Sequence, residues 1–198
     1  MPKALSQEER ELSKQSLKRV GLTLIKSKGL RHVTVDDITK AAGIAKGSFY
    51  LHYQSKEELL YEVFHNSEKK VFEAIFNFNN NSEDFRGKIE KALYDIYLAP
   101  DSIALYIQPE DIEYIRRKFP SEIQKIDKER RQSNFARTMV LFGLSETDMG
   151  TLAYLMDGLQ YIATRPFEYR ETSHQQSLSI CVRAIAEFVN EKATKKHS

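Results

Sequence analysis

The sequence predicts an all-α protein on three observations. Apolar residues recur at three- and four-residue intervals along almost the whole chain, the period of a helix with one buried face. Runs that alternate apolar and polar residues, the mark of a half-buried strand, are nearly absent. Pro100, Pro109, Pro120 and Pro166 stand between the periodic stretches, where a residue lacking an amide N–H ends a helix or opens one.

Each element follows from local signals. Ser6 and Glu9 form a capping box that starts a first helix, with Leu17, Val20, Leu24 and Ile25 on one face and Gly29 as its stop. Thr34 caps a short second helix through Asp37 and Ile38 to Ala42, Gly43 supplies the turn, and a third short helix runs from about Ala45 to His52. Ser55 and Glu58 make a second capping box, which opens a long fourth helix ended by the turn signal Asn79-Asn80-Asn81. Longer helices are expected over Ser82 to Ala99, Pro109 to Phe119, Ser121 to Phe142, Ser145 to Thr164 and Ser173 to Lys192, with a frayed tail from Lys192 to Ser198.

Composition limits what such a chain does. Its 198 residues allow one compact unit or two modest ones, burying roughly 70% of the unfolded surface. Apolar runs such as Ile103 to Leu105 and Met139 to Phe142 fall far short of the ~20 residues that cross a bilayer, so no membrane contact is expected. The charged start, Met1 to Gln15, lacks the apolar core of a signal peptide, and the expectation is a cytoplasmic chain. A single cysteine, Cys181, forms no internal disulfide and holds no zinc without close partners.

The formal net charge of +2 conceals an asymmetry. Residues 1–56 hold 11 Lys+Arg and 5 Asp+Glu, a net of +6, against −4 for residues 57–198. A basic block joined to a mildly acidic remainder suggests two domains, 1–56 and 57–198, the first meeting a polyanion. Within the block, Thr34 to Tyr53 places two short helices around a glycine turn, with small residues Ala41, Ala42 and Gly43 at the close approach. This is helix-turn-helix spacing, in which the second helix enters a major groove ~12 Å wide, although any αα-hairpin shares the bare pattern. The polar residues favour DNA. Lys46, Gly47, Ser48, Tyr50 and His52 offer a cation, hydroxyls, an amphipathic ring and bare backbone, with Phe49 as the anchor. Lys56 sits in the first turn of the fourth helix, where the dipole and free N–H groups already favour a phosphate.

The stretch from Val33 to Leu60, VTVDDITKAAGIAKGSFYLHYQSKEELL, closely resembles the signature of the TetR family of bacterial transcriptional regulators. The resemblance implies that Lys46, Gly47 and Ser48 face bases or adjacent phosphates, that Tyr50, His52 and Lys56 clamp the backbone, and that Thr34 presents its hydroxyl and amide to a phosphate. The sequence departs from the family at Ala45, where a capping serine is frequent, and at Gln54, where proline is common. Losing that cap weakens the helix by about 1 kcal/mol. Leu51, at a position commonly polar or basic in the family, is expected to pack against the first helix, with contact to a thymine methyl as the alternative. Basic residues on the first helix, such as Lys14, Lys18, Arg19 and Lys26, are expected to be mostly solvated.

Residues 57–198 hold 18 of the 21 Phe and Tyr. The resemblance implies that this part is an all-α domain that binds a small-molecule effector and pairs two chains through its last two helices. Tyr94, Tyr97, Tyr106 and Phe135 are the expected cavity aromatics. Two stripes, Leu152, Leu155, Met156, Leu159 and Ile162 on one helix and Leu178, Cys181, Val182, Ile185 and Val189 on the next, suit a four-helix bundle between two chains or each chain's own core. Asp157, within the first of these helices, is expected at a solvated edge or dimer seam rather than beside a cationic ligand. Five scattered histidines form no HExxH motif, and GxxxxGK[ST] and GxGxxG are absent, so neither a cofactor, a metal nor catalysis is expected. The reading is a homodimeric regulator, most simply a repressor released from a double-stranded DNA operator by an effector. A helical carrier or interaction module whose basic end binds an acidic partner is the alternative.

Overall fold

The computed structural model describes residues 6–77, 84–98, 102–164 and 171–195, and among these the secondary structure is helical. The α-helices are α1 (Gln7–Lys28), α2 (Val35–Ala42), α3 (Lys46–Tyr50), α4 (Lys56–Phe76), α5 (Phe85–Leu93), α6 (Pro109–Arg116), α7 (Ser121–Phe142), α8 (Glu146–Thr164) and α9 (Glu171–Lys195). Short 3-10 turns cover Leu30–His32 and Ile103–Tyr106, and a π-helical turn covers Tyr94–Leu98. No described helix is long and apolar enough to cross a membrane.

The expected caps form. Ser6 Oγ accepts the Glu9 amide while the Glu9 carboxylate accepts the Ser6 amide, and Ser145 and Asp148 repeat the device before α8. At α4 the box is displaced by one residue: Ser55 Oγ accepts from the Glu58 amide at 3.2 Å, but the Glu58 carboxylate accepts from Gln54 rather than Ser55. The helix expected from Ser82 instead begins at Phe85, because the Asp84 carboxylate caps the Gly87 amide at 3.1 Å. Helix α9 is longer at both ends than its stripe suggested. Asn79 to Asn81, Ser82, Pro100 and Pro166 lie outside the described residues.

The chain divides into two compact units, one built from residues up to Glu68 with Tyr106–Pro120, the other from Lys69–Leu105 and Ser121 onward. In the first, Leu17, Ile25, Ile38, Phe49, Leu59 and Leu60 form a fully buried core. Buried Gly21 faces α4, where a Cβ would meet Val63 Cγ2 at 3.4 Å, an ordinary contact distance. Arg31 Nε pairs with Asp111 Oδ1 at 2.6 Å, and its guanidinium lies over the Tyr114 ring, fastening α6 beside the loop that leads into α2. In the second unit, α9 packs on α5, α7 and α8 around Leu93, Phe142, Leu159, Val182 and Ile185.

Candidate nucleic-acid interface

Helix α2 is held at both ends. At its start the Thr34 amide and hydroxyl donate to Asp37 Oδ2, and Thr34 Oγ1 accepts the Asp37 amide. Lys28 Nζ lies 2.6 Å from the same carboxylate oxygen. The lysine and the threonine hold the Asp37 carboxyl at about 2, well below the usual range. Thr34, expected to offer its hydroxyl and amide to a phosphate, thus directs both at Asp37 in the unbound chain. At the other end Gly43, at φ 67°, takes the left-handed conformation that a residue with a Cβ resists, and the Ile44 amide closes the turn onto the Thr39 carbonyl at 3.0 Å.

Helix α3 has no side-chain cap at Ala45, as its sequence implies. It is held instead by aromatic packing and by the residue after it. Phe49 is fully buried, its ring 5.3 Å from Tyr50 in an edge-on arrangement and 5.9 Å from Tyr53. Tyr53 in turn donates its hydroxyl to Glu62 Oε2 at 2.9 Å, while Lys18 Nζ sits 3.1 Å from Glu62 Oε1 and Lys14 lies over the Tyr53 ring. Burial, with the Glu62 bond second, pushes the Tyr53 phenol far up, so it stays a donor. Burial acts against ionisation of Glu62, but the bonds from Tyr53 and Lys18 outweigh it and lower its carboxyl. This network joins α1, the end of the recognition segment and α4 in one unit.

With Phe49 and Tyr53 inward, the opposite side of the segment is bare. Lys46, Gly47, Tyr50 and Leu51 are exposed, and Ser48 and His52 are half-buried at the margins. Lys46 Nζ reaches Asp36 Oδ1 at 2.8 Å, and that pairing raises its pKa. Both groups are exposed, so the pair is weak and a phosphate competes for the lysine. Lys56 is more committed: its ammonium donates to the carbonyls of Arg31 at 3.2 Å and Val33 at 2.7 Å, which fixes the loop before α2. The His52 imidazole is lowered by burial and then by the positive charges of Lys14 and Arg10. Those two α1 cations therefore stand close to the recognition segment, which the α1 sequence did not reveal.

Leu51 corrects an expectation: instead of packing against α1 it is 74% exposed, because α3 turns Phe49 and Tyr53 to the core and leaves Leu51 opposite them. In the rest of the chain the expected cavity aromatics divide between surface and core. Tyr94, Tyr106 and Phe135 are on the surface, and Tyr106 lies in the first unit with Lys26 over its ring. Tyr97 alone of the four packs on the second core, where burial and then Asp157 push its hydroxyl up to about 12. Asp157 itself is exposed. Leu159, Leu178, Val182, Ile185 and Val189 are buried in the chain's own core, with Leu152, Leu155 and Met156 partly buried against it. The outward side of α8 and α9 carries Ala153, Tyr154, Gly158, Tyr161, Ile180 and Ala184.

A short helix anchored by two aromatics, presenting a cation, bare backbone and a phenol to solvent after a glycine turn, defines a helix-turn-helix module. Residues 19–63 match the model of the family described as bacterial regulatory proteins, tetR family. Among curated proteins the chain is similar to the HTH-type transcriptional regulator YuxN of Bacillus subtilis, 26% identical over 71% of this chain and 50% of that one. It is 33% identical to the HTH-type transcriptional repressor KstR2 of Rhodococcus jostii over 44% of this chain and 45% of that one. It is 26% identical to the regulator YdgC of Bacillus subtilis over 78% and 80%. The chain thus spans about half the length of the first two relatives. Among solved structures, a transcriptional regulator from Rhodococcus sp. Rha1 superposes with a TM-score of 0.63 over 88% of this chain and 96% of that one at 17% identity. A TetR-family regulator from Streptomyces coelicolor does so with 0.63 over 91% and 97% at 15%, a likeness of fold.

Proposed function

We propose that this chain is a sequence-specific DNA-binding transcriptional regulator that acts as a homodimer and is released from its operator by a small-molecule effector. The observation that carries the reading is the outward face of residues 46–51 opposite buried Phe49 and Tyr53. Lys46, Gly47 and Ser48 meet bases or nearby phosphates, and Tyr50 and His52 hold the backbone, joined by Lys56 once its ammonium turns from the Arg31 and Val33 carbonyls. Thr34 joins them by turning its hydroxyl from Asp37 to a phosphate. One such helix reads few base pairs, so two copies about 34 Å or a small multiple of helical turns apart supply the specificity. The pairing surface we assign is the outward side of α8 and α9 around Tyr154, Tyr161 and Ile180 rather than the stripes that fill the core. Effector binding in the second unit, with Tyr97 the aromatic drawn inward there, changes the spacing of the two recognition helices.

Titration of the chain against a duplex selected from a random pool, at several salt concentrations, tests this. Affinity falls steeply with salt as displaced counterions are released, and the selected duplex outcompetes random DNA by ~10³ or more. A flat salt dependence, or displacement by anionic lipid as effective as by the selected duplex, overturns the reading.

A further inference from the structure

Leu51 stands where the recognition segment is most exposed, and nothing about it suits a phosphate. Its backbone is still right-handed helical, φ −72° and ψ −19°, so the helical arrangement of α3 continues through it. Buried Phe49 and Tyr53 define the inner side of that turn, and Leu51 lies between them in sequence on the opposite side, 74% exposed. A helical side chain leans toward the helix N-terminus and covers the surface one turn before its own Cα. One turn before Leu51 is Gly47, where even an added Cβ would meet no atom within 4 Å. The outermost ridge of the segment is therefore bare backbone followed by a branched alkyl group, with Lys46 and Tyr50 beside it as its polar neighbours.

We propose that Leu51 is a specificity-determining residue that reads the C5-methyl group of a thymine in the major groove, with Gly47 providing the clearance for that approach. The assignment rests on the DNA-binding reading above. An isobutyl group has no hydrogen bond or charge to give a phosphate, and the thymine methyl is the one alkyl group that a base pair presents in the major groove. Burying the two against each other removes apolar surface from water on both sides, and it discriminates thymine from cytosine and from uracil.

The test uses the full chain and its selected duplex, with each thymine replaced in turn by uracil, which deletes only the methyl group. For the natural protein, one thymine per half-site loses about fourfold in affinity on replacement, the fold-change of one buried methyl group. For Leu51→Ala that position becomes indifferent to uracil, the other thymines keep their profile, and thermal unfolding is unchanged because the side chain is exposed. An identical uracil profile in both proteins overturns the assignment, as does an equal loss by Leu51→Ala on selected and random duplexes, which marks backbone contact. A chain that prefers no duplex over random DNA overturns the DNA-binding reading itself. Specific binding with the Leu51 result negative overturns the thymine contact alone.

Discussion

Helix α3 and the α8–α9 pair carry the same kind of signal, apolar residues at helical spacing, and use it in different ways. In α3 the apolar anchors are few and fully committed, Phe49 inside α3 and Tyr53 just after it, which leaves Lys46, Tyr50 and Leu51 outward with Ser48 and His52 at the margins. In α8 and α9 the stripes of Leu159, Val182, Ile185 and Val189 close the chain's own core, and the outward side mixes small residues with Tyr154, Tyr161 and Ile180 and with polar groups such as Asp157, Gln176 and Arg183. An apolar stripe shows that a face is buried; it leaves open whether the burying surface belongs to the same chain. The polar residues opposite the stripe carry the functional information, because they are what another molecule meets.

The largest effect that sharpens this contrast is on folding. Phe49→Ala empties a fully buried aromatic site and costs about 3–5 kcal/mol, and Leu159→Ala costs about 2–5 kcal/mol, both read by denaturant titration. Tyr154→Ala, at a residue 82% exposed, stays within about 0.5 kcal/mol in the isolated protomer. It weakens self-association in sedimentation, which Leu159→Ala does only in step with its loss of folding. If Leu159→Ala splits a dimer of otherwise undiminished stability, the stripe is an interface and the assignment of inner and outer faces is reversed.

Most of the helical framework is legible because its signals are local. Ser6 and Glu9, three residues apart, form both bonds of their box, Thr34 accepts the Asp37 amide, and Ser55 accepts the Glu58 amide although the Glu58 carboxylate returns to Gln54. What stays hidden involves partners distant in sequence. Asp111 is eighty residues from Arg31, and no periodicity announces that α6 joins the first unit through that pair. The place of Leu51 turns on which of several apolar residues the core accepts first, and Phe49 and Tyr53 fill it. Lys56 shows the same limit: its position suggests a phosphate, while its ammonium is occupied with the carbonyls of Arg31 and Val33.

A second prediction separates recognition from folding within α3. A Cβ at Gly47 meets nothing within 4 Å, and alanine is the better helix former by about 0.5–1 kcal/mol. Gly47→Ala therefore raises stability slightly while weakening specific DNA binding by about tenfold or more, since the added methyl group holds the backbone away from the groove. Thermal unfolding and a binding titration on the same sample check both signs. Unchanged binding would show that the backbone at Gly47 does not approach the duplex.

The smallest effect is the dependence on pH, and it sets His52 against Lys14 and Arg10, whose charges act on it. Burial, followed by Lys14 and Arg10, holds its imidazole below the ordinary value of 6.5, so charging it costs the free protein and its contribution to stability is lost as pH falls through that range. A phosphate beside the ring reverses the preference and raises its pKa in the complex. Binding then takes up protons, and affinity rises as pH drops from about 7.5 to 5.5, by something of the order of threefold per protomer. His52→Gln keeps a hydrogen-bond donor but cannot titrate, and it flattens that rise while leaving the affinity at pH 7.5 nearly intact. A rise that persists in His52→Gln assigns the proton uptake to another group and takes the imidazole away from the DNA backbone.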